Sequence, residues 1–375
     1  MLVGIGYNQK GDSVLAGRLA AEQAVEQSGE PAITFLLTTE NYAQELVLQA
    51  VKGVIGKSKL VGLCTPGIIT RDGVLEKGVG VCTISDSEMQ VATCLQGDVN
   101  LSSWEIGEEA GRKLRASGID SGTVFVFPDG FATNISDLIK GMYNALGPNF
   151  TYIGGGSGDN LKFFKTYQFT EQGVSSNALA ATLVKGISFQ IGIGHGWKPV
   201  GQPMVITKAS GKKVYEINGR PAFEVYSECL GGIDKESFPC YGMKYPLGIP
   251  AVGGNFLIRD PLKVEEDNSI VFVTEVPQNT VVTLMEGTVE NLITTAREVA
   301  SIAVSGLASP GITFIFDCVS RYLLMGKEFE QELKEVMNVI GPDVPMIGML
   351  SFGEVGTFSG IPFFHNKTII IAVGR

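Results

Sequence analysis

A mixed α/β fold with two related halves, built of mixed or antiparallel sheets flanked by helices, is what this sequence predicts. Three observations predict it. Strand-sized apolar runs alternate with amphipathic helical stretches near both ends of the chain. Between them, from Phe163 to Ile217, β-runs follow one another with only short loops. Finally, "GPNFTYIGGGSGD" (147–159) returns as "GPDVPMIGMLSFGE" (341–354), each time behind a strand, an acid and a helix. Such self-similarity marks an internally duplicated helix–strand–turn unit.

The elements follow in order. "DSVLAGRLAAEQAVEQSGEP" opens with cap-type Asp12 and Ser13, keeps helical spacing and stops at Gly29 before Pro31. "AITFLL" is a buried strand, "NYAQELVLQAVKGVIG" a second amphipathic helix and "KLVGLC" another buried strand. "GVGVCTI" and "MQVATCLQ" read as antiparallel strands. "SSWEIGEEAGRKLRASG" carries a capping-box pattern, Ser102 with Glu105, and ends at Gly118. Strand "TVFVF" and helix "TNISDLIKGMYNALGP" complete the first part. "FFKTYQF", "ALAATLV", "ISFQIGIG", "PMVITKA" and "KVYEI" form a hairpin meander. "GRPAFEVYSECLGG" is a helix with Pro221 in its first turn, and "SIVFVTEV" and "TVVTLM" are further β-runs. Helix "TVENLITTAREVASIAVSG", strand "ITFIF", helix "GKEFEQELKEVMNVIGP" and strands "VPMIGML" and "KTIIIAVG" close the chain. Helices fall in clusters between meanders, which argues against one purely parallel sheet.

With 375 residues, and about 150 per domain as a prior, the chain suggests two closely packed domains. Apolar residues at 44% against 18% charged supply a sizeable core. A net charge of −10 without clustered Lys and Arg excludes a nucleic-acid partner and an anionic membrane surface. No apolar run approaches the ~20 residues of a spanning helix, and "MLVGIGYNQKG" lacks the parts of a secretory signal. A cytoplasmic location is therefore expected. Most of the six cysteines, which contain no C-x-x-C, are read as buried thiols of a reducing compartment.

The repeated turn admits two readings. A buried strand must end abruptly there, and the Ser hydroxyl can satisfy a backbone group the turn frees. Alternatively, the related turns meet across a pseudo-twofold axis and form one pocket. "LVGLCTPG", with Thr65 two residues before Gly67, is a third and weaker echo, and Asp159 is aligned with Glu354. The phosphate-loop reading of "GGGSGD" fails, because Asp159 stands where a lysine is needed. His195 in "GIGHGW" and His365 in "FFHNKT" each suit either a backbone hydrogen bond or an axial haem position. Two histidines exclude a multi-His metal centre. Cys318 in "FDCVSR" stands between Asp317 and Arg321, a setting for an activated thiol assisted by His365 or Glu354, although no local motif fixes a base. Arg321 is expected to pair with an acid, Glu354 or a ligand carboxylate. Asp159 and Glu354 are the candidates for a ligand amino group.

Taken together, "VGLCTPG", "GHGW", "FDCVSR", the Ser-Phe-Gly-Glu turn at 351–354 and "FHNKT" resemble the FIST family over nearly the whole chain. The early turn departs from the family pattern, since Pro66-Gly67-Ile68 lacks an acid. The resemblance implies an N-terminal FIST domain over 1–199 and a C-terminal one over 200–375. It implies a sensory input module that binds a small, amino-acid-like ligand and serves a histidine kinase or cyclic-dinucleotide enzyme. Gly154, Ser157, Asp159, Cys318, Arg321, Ser351, Gly353, Glu354 and Asn366 are the ligand-binding set expected, with no catalytic residue. A subset of the family resembles haem proteins that sense nitric oxide, which would use His195 or His365; an enzyme dependent on Cys318 is the third reading.

Overall fold

The computed structural model describes residues 1–251, 254–358 and 360–375. Three six-stranded sheets share one strand order. In the first, Leu2–Asn8, Val79–Ser85, Ile33–Thr38 and Lys59–Cys64 lie side by side, and the hairpin Gln168–Thr170/Gly173–Ser175 completes the edge. In the second the order is Gln90–Gln96, Leu179–Lys185, Gly122–Pro128 and Phe150–Gly155, then the hairpin Glu354–Phe358/Ile361–His365. In the third it is Phe189–Gly194, Ile369–Gly374, Ile312–Cys318 and Met346–Ser351, then the hairpin Ile68–Thr70/Gly73–Leu75. Each sheet has a single parallel pair, formed by its third and fourth strands; the other pairings are antiparallel.

The related halves expected from the sequence are present, and their shared unit occurs a third time, at the weak echo "LVGLCTPG". Each repeat runs strand, helix, strand, helix, strand, hairpin, strand, and gives its hairpin away. The first repeat's hairpin joins the third sheet, the second's joins the first and the third's joins the second. Edge strands that would otherwise expose unpaired N–H and C=O groups are thereby covered in a closed cycle. Between Phe189–Gly194 and helix Val289–Val304 the third repeat carries an insertion that builds a separate nine-stranded sheet around its own core.

Inner faces of the three sheets form one core. At its centre Phe35, Phe125 and Phe314, from the corresponding strands "ITFLL", "TVFVF" and "ITFIF", touch pairwise with ring centroids 4.7, 4.7 and 5.2 Å apart. Helices cover the outer faces, so these strands are buried on both sides and read as continuous apolar runs. The glycine that the repeats share has a steric reason. A Cβ on Gly62, Gly154 or Gly348 would stand 1.9, 2.1 or 2.5 Å from the carbonyl oxygen of Leu36, Val126 or Ile315.

Several local expectations are corrected. Ser102 does cap helix Ser103–Arg115 by position, but its side chain makes no capping bond; Ser103 Oγ instead reaches the Val99 and Thr133 carbonyls at 2.8 and 2.9 Å. Pro221 is the N-cap of helix Ala222–Cys229 rather than a first-turn residue. The strand in "SIVFVTEV" is only Ile270–Phe272. "FFKTYQF" becomes a strand only at Gln168, because the backbone before it wraps around Asp159.

Candidate functional site

The three strand-ending turns meet one another. Gly158 N–H donates to the Cys64 carbonyl (3.0 Å), Gly156 N–H to Gly353 (2.8 Å), Phe352 N–H to Gly156 (3.0 Å) and Leu350 N–H to Gly67 (2.8 Å). Thr65 Oγ1 reaches the Leu350 carbonyl at 2.7 Å. Freed backbone groups of one repeat are thus satisfied by the next. The space between the turns is filled by Phe352, whose ring would lie 2.0 Å from a Cβ on Gly158. Ser157 and Ser351 act inside this lock. Ser351 Oγ donates to Glu354 Oε1 at 2.7 Å, and Gln168 Nε2 donates to Ser157 Oγ at 2.5 Å. Strand register places Gln168, not Asp159, where Glu354 stands, since both face the same position of the neighbouring fourth strand.

Arg321, Asp317 and Glu332 form a fully buried group beside that lock. Arg321 Nε donates to Asp317 Oδ1 (2.8 Å), Nη2 to Glu332 Oε2, and Nη1 to the His195 carbonyl (2.6 Å). Its acid partners are therefore Asp317 and Glu332 rather than Glu354, and the guanidinium is spent on the protein itself. Burial, only partly offset by Arg321, drives the Glu332 carboxyl far above its usual range and raises Asp317 as well. Their remaining oxygens, Asp317 Oδ2 and Glu332 Oε1, have no other partner among the described residues. One proton held on Glu332 and directed at Asp317 satisfies both. Glu354 is likewise raised well above the carboxylate range by burial, and its Oε2 accepts from Thr368 N–H at 3.1 Å.

A cavity of about 240 Å³ opens where the third repeat's turn faces the inserted sheet. Cys318, Gly353 and Asn366 lie on its wall, among Phe163, Val319, Leu323 and Met243. Apart from Asn366, its polar side is built by residues the sequence reading passed over. Lys367 Nζ stands 3.0 Å from Asp260 Oδ1, donates to the Met243 carbonyl (2.9 Å) and lies 5.2 Å from the Trp197 ring centre. Ser320 Oγ donates to Asp260 Oδ2 at 2.6 Å. Asn366 Oδ1 accepts from Thr274 Oγ1 at 2.6 Å, and its Nδ2 donates to the His365 carbonyl at 3.1 Å. Cys318 is a buried thiol pushed well above its ordinary value by burial, then by Glu354 and Asp260, the direction opposite to an activated nucleophile.

Asp159 shapes the cavity rim instead of facing a ligand. Its Oδ1 accepts from the Lys162 and Phe163 amides (2.9 and 3.0 Å) and its Oδ2 from those of Phe164 and Lys165 (2.8 and 3.3 Å). In the first and third repeats the turn hydroxyl is three residues ahead of the hairpin, Thr65 to Ile68 and Ser351 to Glu354; in the second, Ser157 is eleven residues ahead of Gln168. This extra loop holds Leu161 and Phe163 at φ of 60° and 54°, a region costly for bulky residues, and leaves Phe164 86% exposed. Leu161 and Phe163 line the cavity, so the only long turn–hairpin connection of the three is the one that walls it.

His195 and His365 face a second cavity, of about 150 Å³. His195 Nδ1 accepts from Trp197 N–H at 3.0 Å. Burial, reinforced by Arg321, holds the His195 ring down to about 4, and burial with Arg259 does the same for His365. Both are neutral imidazoles near pH 7.

Against known families, residues 32–220 match the FIST N domain and 222–357 the FIST C domain. The chain belongs to the FIST family. FIST domains are sensory domains, which places this chain in signal reception. Among similar proteins, the uncharacterized protein MJ1623 of Methanocaldococcus jannaschii is 25% identical over 89% of this chain and 71% of its own. The uncharacterized protein MT0656 of Mycobacterium tuberculosis is 23% identical over 100% of this chain and 99% of its own. A solved cyanuric acid hydrolase from A. caulinodans aligns with 100% of this chain and 98% of its own at 9% identity, with a TM-score of 0.39. No described helix of this FIST protein is long and apolar enough to cross a membrane. Haem does not fit its paired histidines as they stand, because a porphyrin exceeds a cavity of about 150 Å³. Of the residues expected to bind ligand, Cys318, Gly353 and Asn366 share one cavity; Gly154, Ser157, Ser351 and Glu354 serve the interlocked turns. Lys367 lay in view inside "FHNKT", whereas nothing around "IRDPL" marked Asp260.

Proposed function

We propose that this FIST protein is a signal-input protein whose ligand is a small amino acid with an apolar side chain, bound in the 240 Å³ cavity. The observation that carries the reading is the Lys367–Asp260 pair, both members almost wholly buried, set into the wall of a largely apolar cavity. An ionised carboxylate offers about four acceptor sites, and the Lys367 and Ser320 contacts use two of them. The others suit an ammonium group. Asn366 Nδ2 carries a second N–H for an acid group, and Phe163, Leu323 and Val319 suit the side chain. Occupancy is reported to a separate signalling partner, a histidine kinase or a cyclic-dinucleotide enzyme. The surrounding loop from Asn160 to Lys165 is the element placed to convey it.

Calorimetric titration with leucine, its N-acetyl derivative and its α-hydroxy acid tests the reading. Leucine is expected to bind and the two analogues to lose roughly 10-fold or more, the weight of a charged hydrogen bond of about 1.5–3 kcal/mol. Leu262→Trp, which fills the cavity from its exposed rim, is expected to abolish binding without unfolding the chain. Equal affinity for all three compounds, or binding unaffected by Leu262→Trp, would refute it.

A further inference from the structure

We infer that the second cavity, between His195 and His365, is an independent binding site for a small uncharged aromatic molecule that carries one hydroxyl group. Size, wall chemistry and hydrogen-bonding capacity each narrow the ligand. A volume of about 150 Å³ is that of a cavity which accepts one benzene-sized ring. Ile193, Phe256, Leu257, Phe358, Ile361 and Phe363 supply apolar and aromatic surface, and among the described lining residues none carries a charge near neutral pH. A charged ligand would lose its hydration there with no charged group on the wall to replace it. Phe363 and His365 already meet edge to face at 6.2 Å, leaving an aromatic wall for a further ring.

The two imidazoles decide the polar group. The hydrogen bond from Trp197 N–H to Nδ1 assigns the one proton of neutral His195 to Nε2, a donor with no acceptor among the described residues. His365 is 7% exposed and its Nε2 has no partner among the described residues. A buried polar atom left unmatched is costly; His365 Nε2 is such an atom, and the half-buried His195 ring borders the same space. A phenolic hydroxyl answers both, since its oxygen accepts from the His195 N–H while its proton is offered to the second imidazole. The site shares neither its volume nor any described wall residue with the amino-acid cavity, so either can fail without the other.

The test uses the full chain at pH 7.5 with phenol, benzene and benzoate as probes in calorimetric titration. Saturable 1:1 binding of phenol is expected, with benzene and benzoate roughly 10-fold weaker or more, the worth of about one hydrogen bond. Ile361→Trp and Leu257→Trp place a ring in the cavity and are expected to abolish phenol binding, while Leu262→Trp in the other cavity leaves it unchanged. Absence of saturable phenol binding, benzene binding as tightly as phenol, or phenol retained in a folded Ile361→Trp or Leu257→Trp protein would overturn the inference. Should neither variant fold, the ring ¹⁵N resonances of His195 and His365 in the unaltered chain decide it: phenol must shift both.

Discussion

Arg321, the residue whose charge invited a ligand role, is held on every side by the protein: Asp317, Glu332 and the His195 carbonyl take its donors. Removing one member of a buried ion pair costs about 3–5 kcal/mol, because the other is left uncompensated. Arg321→Ala is therefore expected to lower the urea midpoint steeply, whereas Glu332→Gln, which mimics an acid already carrying its proton, stays within about 1 kcal/mol of the parent. Equal losses in the two variants would contradict the shared-proton assignment. The histidines predict a pH dependence. His195 and His365 have folded-state values of about 4, below the ordinary 6.5, so the unfolded chain binds more protons between these values. Their stabilisation is complete above pH 6.5 and is lost as pH falls toward 4, at about 1.4 kcal/mol per unit for each. Glu332 and Glu354, raised by burial, act in the opposite sense: their contribution is complete below about 4.5 and fades as pH climbs through their folded-state values. The histidine part is isolated by subtraction. Denaturant midpoints of the parent and of His365→Gln, compared at pH 7.5 and 5, should show the parent losing more on acidification.

At the scale of the element, the loop from Asn160 to Lys165 is the clearest case of a side chain overriding a strand pattern. Four amides donate to Asp159, and that organisation keeps Leu161 and Phe163 in left-handed backbone. Asp159→Ala deletes every one of these acceptors at once. The loop should then open, and trypsin should cut after Lys162 and Lys165 several-fold faster than in the parent, with the thermal transition shifted far less than by Arg321→Ala. An unchanged cleavage rate would mean that the loop is held by Phe163 packing on Phe352 and by the Lys162–Glu40 contact instead. The sequence shows the apolar run "FFKTYQF" but not that an acid four residues before it captures the backbone. That outcome depends on Asp159 being buried by the turns of the other repeats, a tertiary condition.

For the whole molecule, the cyclic exchange of hairpins makes the repeats mutually dependent. Glu354–Phe358 pairs with Phe150–Gly155, and Ile369–Gly374 with Phe189–Gly194, so a cut near residue 199 leaves edges open on both sides. We expect the full chain to melt in one cooperative transition and neither 1–199 nor 200–375 to give a cooperative transition alone. A sharp melt from either segment by itself would show that the exchange is not required for folding. The same exchange explains why the expected pseudo-twofold pocket is not what the turns form: three turns close on one another, Phe352 fills their middle, and the usable space lies to the side, against the inserted sheet.

By itself the sequence determined most strands and helices of the repeats, the repeated unit with its shared glycine, the family, and the place of Cys318, Gly353 and Asn366 in consequential turns. These follow from local causes: periodicity, caps, and the backbone approach that admits only glycine at Gly154 and Gly348. Tertiary structure alone decided that Arg321 serves the core, that Asp159 holds a loop, and that Lys367 meets Asp260 although 107 residues apart in the chain. A carboxylate or a lysine has the same local pattern whether it faces solvent, a ligand or a buried partner. Only the packing of distant elements fixes which groups lose their water together, and that loss sets their partners and their charge.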